Sequence, residues 1–303
     1  MRWLESQQKN RVKVRTYNRY EEIVMQHVAP ALGEIEIERM SRRDIRAFMQ
    51  QGARIEGETP PLSAATINMC LSVLRGAFSY AVEWELIPEN PCLGIKRLPY
   101  EGKRVNAYSK EEQKQIEKSI ELSGDRRLFG VVLCLYTGLR IGELLALTWD
   151  NVDLRTGTLA VMKTVYRAKD ASGAWNVVTD RPKTENSERI IPLPPFLREL
   201  FRAYKREAIG CFVIENADGS PISTRSYQYI FSRLTRSAGV PPYNFHALRH
   251  TFATRAIECS MDIKTLSELL GHKSAVITLN RYAHSMLATK ILMMQKLKSV
   301  YFT

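Results

Sequence analysis

The feature that most constrains the fold is a short block of strand-like sequence enclosed by helix-like sequence. Residues 158–165, 175–179 and 189–193 are rich in β-branched side chains, and turns at Gly173 and Pro182 separate them. Before and after this block, apolar residues recur at three- and four-residue steps, which is typical of amphipathic helices. The sequence therefore predicts a mostly α protein with a small antiparallel sheet, an α+β fold.

Helix-like sequence fills residues 1–91, which we expect to form a domain of their own. The three predicted helices cover residues 16–28, a short segment after Ser41, and residues 63–86. Pro30 and Gly33 are expected to end the first helix. Asp44 lies three residues after Ser41 and can complete a capping box for the second.

Residues 92–108 separate this domain from the rest of the chain. They contain glycine, proline and charged residues without apolar periodicity, so we predict an interdomain linker rather than an ordered loop of one larger domain. Residues 109–303 then form the second domain. It opens with a helix capped by Ser109, and further helices are predicted at residues 126–136 and 140–147.

Charge is distributed unevenly between the two parts of the chain. The net charge is +12; residues 1–98 hold 14 Lys/Arg against 12 Asp/Glu, whereas residues 99–303 hold 30 against 20. A polyanionic partner would therefore bind mainly through the second domain. No apolar run is long enough for a membrane span, and the start lacks a secretory signal.

The five cysteines are widely spaced and form no C-x-x-C pair. We expect them to be reduced and mostly buried, as in a cytoplasmic protein.

Two segments place an arginine where a phosphate could bind. Arg140 follows a glycine break, so a new helix begins there and its exposed amides add to the positive field. Glu143 lies one turn later and either orients Arg140 or lies in solvent. His246 and Arg249 are three residues apart, hence neighbours on a helix that Asn244 can cap.

His250 raises an alternative, because His246 and His250 have the spacing of a two-histidine metal motif. In that motif the general-base glutamate would occupy position 247, which is alanine here. The sequence therefore disfavours a metal-dependent hydrolase.

Two further candidates follow on the next helices. Asp262 is expected to cap a helix that Gly271 ends in the left-handed conformation, which places His272 on a tight turn. Tyr282 follows ten residues later and is expected to border a buried stripe. That stripe consists of Val276, Leu279 and Ala283. Three consecutive β-branched residues weaken this last helix.

The local motifs T-G-L-R, H-A-L-R and L-G-H, followed by a tyrosine, resemble the active-site motifs of the tyrosine recombinases, the integrases of phages and conjugative transposons. The order and spacing agree over nearly the whole chain. The six residues that carry the resemblance are Arg140, Lys183, His246, Arg249, His272 and Tyr282. The resemblance implies a helical, SAM-like core-binding domain over residues 1–91 and a catalytic domain over residues 109–303.

The resemblance also implies a role for each of these residues. Tyr282 attacks a DNA phosphodiester, His246 takes the phenol proton, and Lys183 protonates the leaving 5′ oxygen, a role for which Lys163, Lys169 and Arg181 compete. The two arginines and His272 stabilise the transition state. The implied function is integration or excision of a mobile element through a 3′-phosphotyrosine, with neither metal nor ATP as cofactor.

Three other kinds of protein remain as alternatives. A simple chromosome- or plasmid-resolving recombinase and a type IB topoisomerase use the same chemistry. A DNA-binding regulator without catalysis would not need all six residues.

The implied partners are double-stranded DNA with paired recombination sites, three further copies in a homotetramer, and an accessory directionality protein. The implied location is the bacterial cytoplasm. Residues 286–303 form an amphipathic segment, expected to pack on its own domain or on a neighbouring subunit. Core-binding-like sequence begins by about residue 3, as expected for a simple recombinase or for a chain without an N-terminal arm-binding domain.

Overall fold

The computed structural model describes residues 1–8, 11–52, 62–99, 105–169, 174–180, 188–282 and 294. Helices dominate these residues and strands are confined to residues 152–192, which confirms the predicted α+β class. The chain divides into two compact units. The first comprises Met1–Lys103 and Ala168–Asn176, and the second comprises Arg104–Arg167 and Val177–Thr303.

None of the helices in the described ranges combines the length and the apolar character that crossing a membrane requires.

The first unit is helical. Its α-helices are α1 (Val14–Ile23), α2 (Ala29–Leu32), α3 (Arg42–Gln51) and α4 (Ala64–Glu83), and Val24–Val28 forms a π-helical turn between α1 and α2. The predicted capping box of Ser41 and Asp44 is present at α3. The expectation that Pro30 ends a helix is wrong, because Pro30 lies in the first turn of α2, where no N–H donor is needed.

Helix α4 supplies much of the core of the first unit, with Ile67, Leu71, Leu74 and Phe78 buried as its spacing predicts. Three residues from the range predicted as linker pack on the same core. They are Cys92, Ile95 and Leu98.

The backbone of Leu98 is also held by the side chain of Asn68, which accepts from the Leu98 N–H (2.8 Å) and donates to its carbonyl (2.9 Å). Residues 92–98 thus extend the first unit beyond its last helix.

The second unit contains eight α-helices among the described residues. They are α5 (Lys110–Ser123), α6 (Phe129–Thr137), α7 (Ile141–Leu145), α8 (Pro195–Arg206), α9 (Thr224–Ser237), α10 (His246–Glu258), α11 (Ile263–Leu270) and α12 (Ala275–Tyr282). The predicted cap at Ser109 is confirmed, with Glu112 completing the box. Helix α10 packs against α6 and α11, and most of its residues are buried.

The strands form two small sheets. They are β1 (Val152–Asp153), β2 (Thr158–Val161), β3 (Thr164–Lys169), β4 (Trp175–Asp180) and β5 (Arg189–Pro192). Strands β1, β2 and β5 form an antiparallel sheet, in which Leu159 faces Ile191, and β3 and β4 form a second sheet. The prediction of one strand over residues 158–165 is wrong, because the chain changes partner at Met162 and Lys163, from β5 to β4.

The start of α10 differs from the prediction. Asn244 does not cap it with its side chain; Phe245 occupies the cap position, already in helical conformation, and the Asn244 carbonyl accepts from the Ala247 N–H. The buried Phe245 ring packs against the rings of Tyr227 and Phe231, and the helix begins at His246, one residue later than expected.

Three cysteines, Cys70, Cys92 and Cys134, are buried as predicted, whereas Cys211 and Cys259 are exposed. Burial raises the pKa of the Cys70 and Cys92 thiols to about 11. The expectation for the amphipathic segment at residues 286–303 falls outside the described residues, apart from the exposed Met294.

Candidate active site

Arg140 is the N-terminal cap of α7 and is presented by a glycine turn. Gly138 ends α6 at φ +66°, and a Cβ there would approach the Phe252 ring to 2.6 Å, so the turn requires glycine. The Arg140 N–H donates to Glu143 Oε2 (3.0 Å), and its guanidinium donates to Glu143 Oε1 (2.6 Å) and to the Gly271 carbonyl (3.1 Å). Glu143 therefore lies against Arg140 and not in solvent, while the Arg140 side chain stays 36% exposed.

Arg249 lies in the first turns of α10 and is only 2% exposed. Its guanidinium donates to the carbonyl of Gly138 (2.8 Å) and to that of Leu270 (2.6 Å). Burial, together with the charge of Arg140, lowers the pKa of Arg249 to about 9, which leaves it protonated at neutral pH. Arg249 is thus a buried cation, and these two hydrogen bonds join it to neutral backbone carbonyls.

A third arginine, Arg189 at the start of β5, joins these two. Its Nε donates to the Leu269 carbonyl (2.6 Å), and Nη1 and Nη2 donate to the two Glu143 oxygens (3.2 and 2.9 Å). Both side chains of this ion pair are buried. Burial would raise the pKa of Glu143, but the charges and hydrogen bonds of Arg189 and Arg140 outweigh it and lower that pKa to about 2.

The three arginines bind three consecutive carbonyls at the end of α11. Arg189 binds Leu269, Arg249 binds Leu270, and Arg140 binds Gly271. A helix C-terminus carries partial negative charge and unsatisfied carbonyls, so it is a natural anchor for cations. We call Arg140, Arg189, Arg249 and Glu143 the arginine cluster. With three guanidiniums and one carboxylate among its described members, it suits an anion.

His272 is placed by the glycine that ends α11. Gly271 has the predicted left-handed conformation, with φ +62°, and the predicted Asp262 cap at the other end of α11 accepts from the Thr265 N–H. The His272 Nδ1 lies 2.7 Å from the hydroxyl of Thr278, which is fully buried on α12. This bond joins the turn that carries the histidine to the helix that carries the tyrosine.

Tyr282 lies at the end of α12 and is 1% exposed, among the apolar side chains of α10 and α11. Its hydroxyl lies 2.7 Å from His250 Nδ1. The His246 ring packs edge-on against the His250 ring, with 4.5 Å between centroids. His250 therefore contacts the phenol, whereas from the sequence it was considered only as a metal ligand.

The predicted orientation of α12 is wrong. Val276 and Leu279, expected to be buried, are 57% and 43% exposed, whereas Thr278 and Tyr282 face inward. The bonds from His272 to Thr278 and from His250 to Tyr282 fix the rotation of this short helix, and they override the apolar spacing.

Lys183 lies outside the described residues, between the end of β4 at Asp180 and the start of β5 at Arg189. Of the residues that compete for its role, Lys163 and Lys169 are exposed, before and at the end of β3. Within the described ranges, no group of three or more His, Cys, Asp or Glu side chains is arranged to hold a metal ion.

Sequence analysis did not single out Arg189, although one signal was available. Period-two alternation puts Arg189 on the same face of β5 as the buried Ile191. An arginine on an inward face requires a buried partner, and Glu143 was the acidic residue already singled out.

The sequence model of the phage integrase family matches residues 106–288, and that of the phage integrase N-terminal SAM-like domain matches residues 1–51. A tyrosine recombinase XerC-like protein of Caldanaerobacter subterraneus subsp. tengcongensis is 32% identical over 248 residues, which are 73% of this chain and 63% of that protein. The ICEBs1 integrase of Bacillus subtilis strain 168 is 28% identical over 288 residues, 88% of this chain and 73% of that protein.

Among solved structures, the Tn1549 transposon integrase in complex with transposon right-end DNA superposes with a TM-score of 0.80. The match covers 98% of this chain and 99% of that chain at 24% identity, so it shows a common fold. The family match spans more than half of the sequence. On this basis the chain belongs to the phage integrase family of tyrosine recombinases.

Proposed function

We propose that this chain is a site-specific DNA recombinase of a mobile element, which cuts and rejoins DNA through a 3′-phosphotyrosine. The observation that carries the proposal is the arginine cluster beside a buried tyrosine. Tyr282 packs against α10, the helix that carries Arg249, and its hydroxyl contacts His250, the residue after Arg249. An anion site and a nucleophile thus lie together, as cleavage of a phosphodiester requires.

In the cleavage step, Arg140, Arg249 and His272 bind the non-bridging oxygens of the scissile phosphate. Tyr282 Oη attacks phosphorus while His246 takes its proton. The bond from phosphorus to the 5′ oxygen breaks, and Lys183 donates a proton to that oxygen. The guanidiniums supply the positive field that metal ions supply in many nucleases, so this step uses neither metal nor ATP.

In the rejoining step, the 5′ hydroxyl of another strand attacks the phosphotyrosine and the tyrosine leaves. The energy of the phosphodiester is conserved in the covalent intermediate. Each tyrosine cuts one strand, and two duplexes exchange four strands. Four copies on paired sites are therefore needed, and an accessory protein sets the direction of the reaction.

The proposed organisation assigns DNA binding to both parts of the chain. Residues 1–91, with residues 92–98 packed on the same core, form the core-binding domain, the rest of residues 92–108 form the connection, and residues 109–303 form the catalytic domain, which carries most of the excess positive charge. The proposed location is the bacterial cytoplasm, where a chromosome is accessible.

Covalent capture from randomised DNA tests the proposal and selects the target sequence in the same step. The protein is incubated with nicked duplexes whose arms are randomised, and denaturant-resistant adducts are recovered and sequenced. The wild type and Tyr229→Phe, which changes an exposed tyrosine of α9, should form adducts in the presence of EDTA, and Tyr282→Phe should form none. If Tyr282→Phe still forms an adduct, the assignment of Tyr282 as the nucleophile is wrong.

The same selected sequence separates a recombinase from a topoisomerase. Two duplexes that carry it should exchange strands, and exchange should require a site on each. Relaxation of supercoiled DNA with no exchange between paired sites would contradict the proposed function.

A further inference from the structure

Arg189 is the member of the arginine cluster to which the proposed chemistry gives no role. All three of its nitrogens donate hydrogen bonds to protein groups, and its side chain is 6% exposed. Two of its nitrogens bind the Glu143 carboxylate, which offsets the charge of Arg189, whereas the hydrogen bonds of Arg249 to two neutral carbonyls leave its charge for a phosphate. We therefore expect Arg189 to act on the reaction through Glu143 and α11.

Glu143 is the point where two arginines meet. One of its oxygens accepts from Arg140 Nη1 and Arg189 Nη1, and the other accepts from the Arg140 backbone N–H and Arg189 Nη2. Three secondary-structure elements are thereby joined, because Arg189 belongs to β5, Glu143 to α7, and Leu269 to α11. The position of the Arg140 guanidinium depends on this junction.

The charge of Glu143 also depends on its neighbours. Among the residues that the structure describes, the charged or titratable groups that face it include Arg140 on α7, Arg189 on β5, Arg249 on α10 and Cys134 on α6. Of these, Arg189 contributes most to lowering the pKa of Glu143, against a burial that raises it. Without Arg189, the carboxyl would titrate at higher pH, and its protonated form would hold Arg140 less well.

We propose that Arg189 is a positioning residue for strand cleavage, which acts with Glu143 as a clasp that fixes the Arg140 guanidinium against the end of α11. The inference rests on the proposed cleavage reaction. It adds a residue that does not touch DNA and that the motifs of the chain do not reveal.

The test uses the full chain and the nicked duplex selected by covalent capture, at saturating DNA. Arg189→Met should slow adduct formation by about 10²-fold, the scale of a misplaced catalytic group, while the Kd for the duplex changes by less than about threefold. Arg189→Lys keeps the charge on Glu143 but cannot replace all three hydrogen bonds, so it should recover part of the rate. Arg198→Met is the matched control, because Arg198 on α8 also binds backbone carbonyls, those of Leu154 and Arg155.

The pH profile separates positioning from a general loss of structure. Only the ionised form of Glu143 holds Arg140 well. In Arg189→Met the pKa of Glu143 is raised, so the acidic limb of the profile of cleavage rate against pH should lie at higher pH than in the wild type. In the double variant Arg189→Met/Glu143→Gln, no carboxyl titrates, and that shifted limb should disappear. If Arg189→Met is too unstable to assay, Arg189→Lys and Glu143→Gln are compared in the same way.

A wild-type protein that forms no adduct would count against the proposed function itself. If the wild type forms adducts, three results overturn the role of Arg189. They are an Arg189→Met rate within threefold of the wild type, a rate loss no larger than that of Arg198→Met at equal thermal stability, and an acidic limb that does not move.

Discussion

The arginine cluster and helix α12 are two halves of one site that are held in different ways. The arginines are anchored by backbone carbonyls and by a buried carboxylate. Helix α12 exposes Val276, Ile277 and Leu279, and two side-chain bonds reach it from α10 and from the turn after α11. The proposed charge-binding groups are thus held by several buried polar bonds, whereas the proposed nucleophile is held by two side-chain bonds and by one buried ring on a short helix whose other face is exposed.

This difference follows from what each half does in the proposed reaction. A phosphate site gains most from donors that do not have to reorganise, because reorganisation subtracts from the stabilisation of the transition state. A nucleophile has to reach the phosphorus atom, and a neutral hydrogen bond contributes only about 1 kcal/mol. Moving Tyr282 therefore exchanges two such bonds and the burial of its ring for contacts with DNA.

The largest effect is expected from Arg249, the most buried arginine of the cluster. Arg249→Ala should slow adduct formation by about 10³-fold, the upper range for loss of one preorganised donor. Arg249→Lys should lose most of this rate as well, because one ammonium cannot reproduce the fork that binds the carbonyls of Gly138 and Leu270. If Arg249→Lys cleaved at a rate within tenfold of the wild type, the charge at this position would matter and its fixed geometry would not. The proposed difference between the arginine cluster and α12 would then be contradicted.

Acid should weaken the cluster through Glu143. The pKa of Glu143 lies near 2 in the folded protein against an ordinary value of 4.5, so its stabilising contribution is complete above pH 4.5 and is lost as pH falls toward 2. The contribution is roughly 3 kcal/mol by linkage. Urea unfolding at pH 6 and pH 3 should show a smaller loss of stability for Glu143→Gln than for the wild type, and equal losses would contradict the buried ion pair.

Variants of the two histidines near Tyr282 should distinguish a residue that takes the phenol proton from one that only holds α12 in place. His246→Phe should slow cleavage by about 10²-fold, as expected for loss of a general base. His250→Phe should change the cleavage rate less, but hydrogen exchange of α12 should become roughly fivefold faster, because a bond worth about 1 kcal/mol is removed. A larger rate loss in His250→Phe than in His246→Phe would transfer the base role to His250.

The smallest effect is expected from Thr278, whose hydroxyl bonds to His272. Thr278→Val keeps the shape of this buried side chain and removes the bond, which should slow cleavage by about fivefold. Thr254→Val on α10, where the hydroxyl bonds to its own helix, is the control and should leave the rate unchanged. Equal rates for both variants would show that the bond from α12 to the turn plays no part in catalysis.

Most features set within one helical turn were predictable from the sequence, and the exceptions are the cap at Asn244 and the helix end at Pro30. The caps at Ser41, Ser109 and Asp262 and the left-handed Gly271 are each set within one helical turn. The face that α12 buries was not predictable, because two polar bonds decide it, one between His250 and Tyr282, 32 residues apart, and one between His272 and Thr278, six residues apart.

The role of Arg189 was not predicted for a related reason. Its partners lie 46 and 80 residues away, and no local pattern connects them. The small strand that carries Arg189 was predicted, but its role as a bridge between a sheet and two helices becomes visible only when the elements are packed.

The anchoring of three cations on the carbonyls of Leu269, Leu270 and Gly271 has a consequence for mutagenesis. Every residue has a carbonyl, so replacing the side chains at these positions leaves the anchors in place, and an alanine scan would not detect them. Substitutions that redirect the main chain, such as Gly271→Pro or Gly271→Val at φ +62°, would displace the attachment points of all three guanidiniums together. The part of the site that holds the charge is thus encoded in chain geometry, and comparison of side chains alone understates how strongly it is constrained.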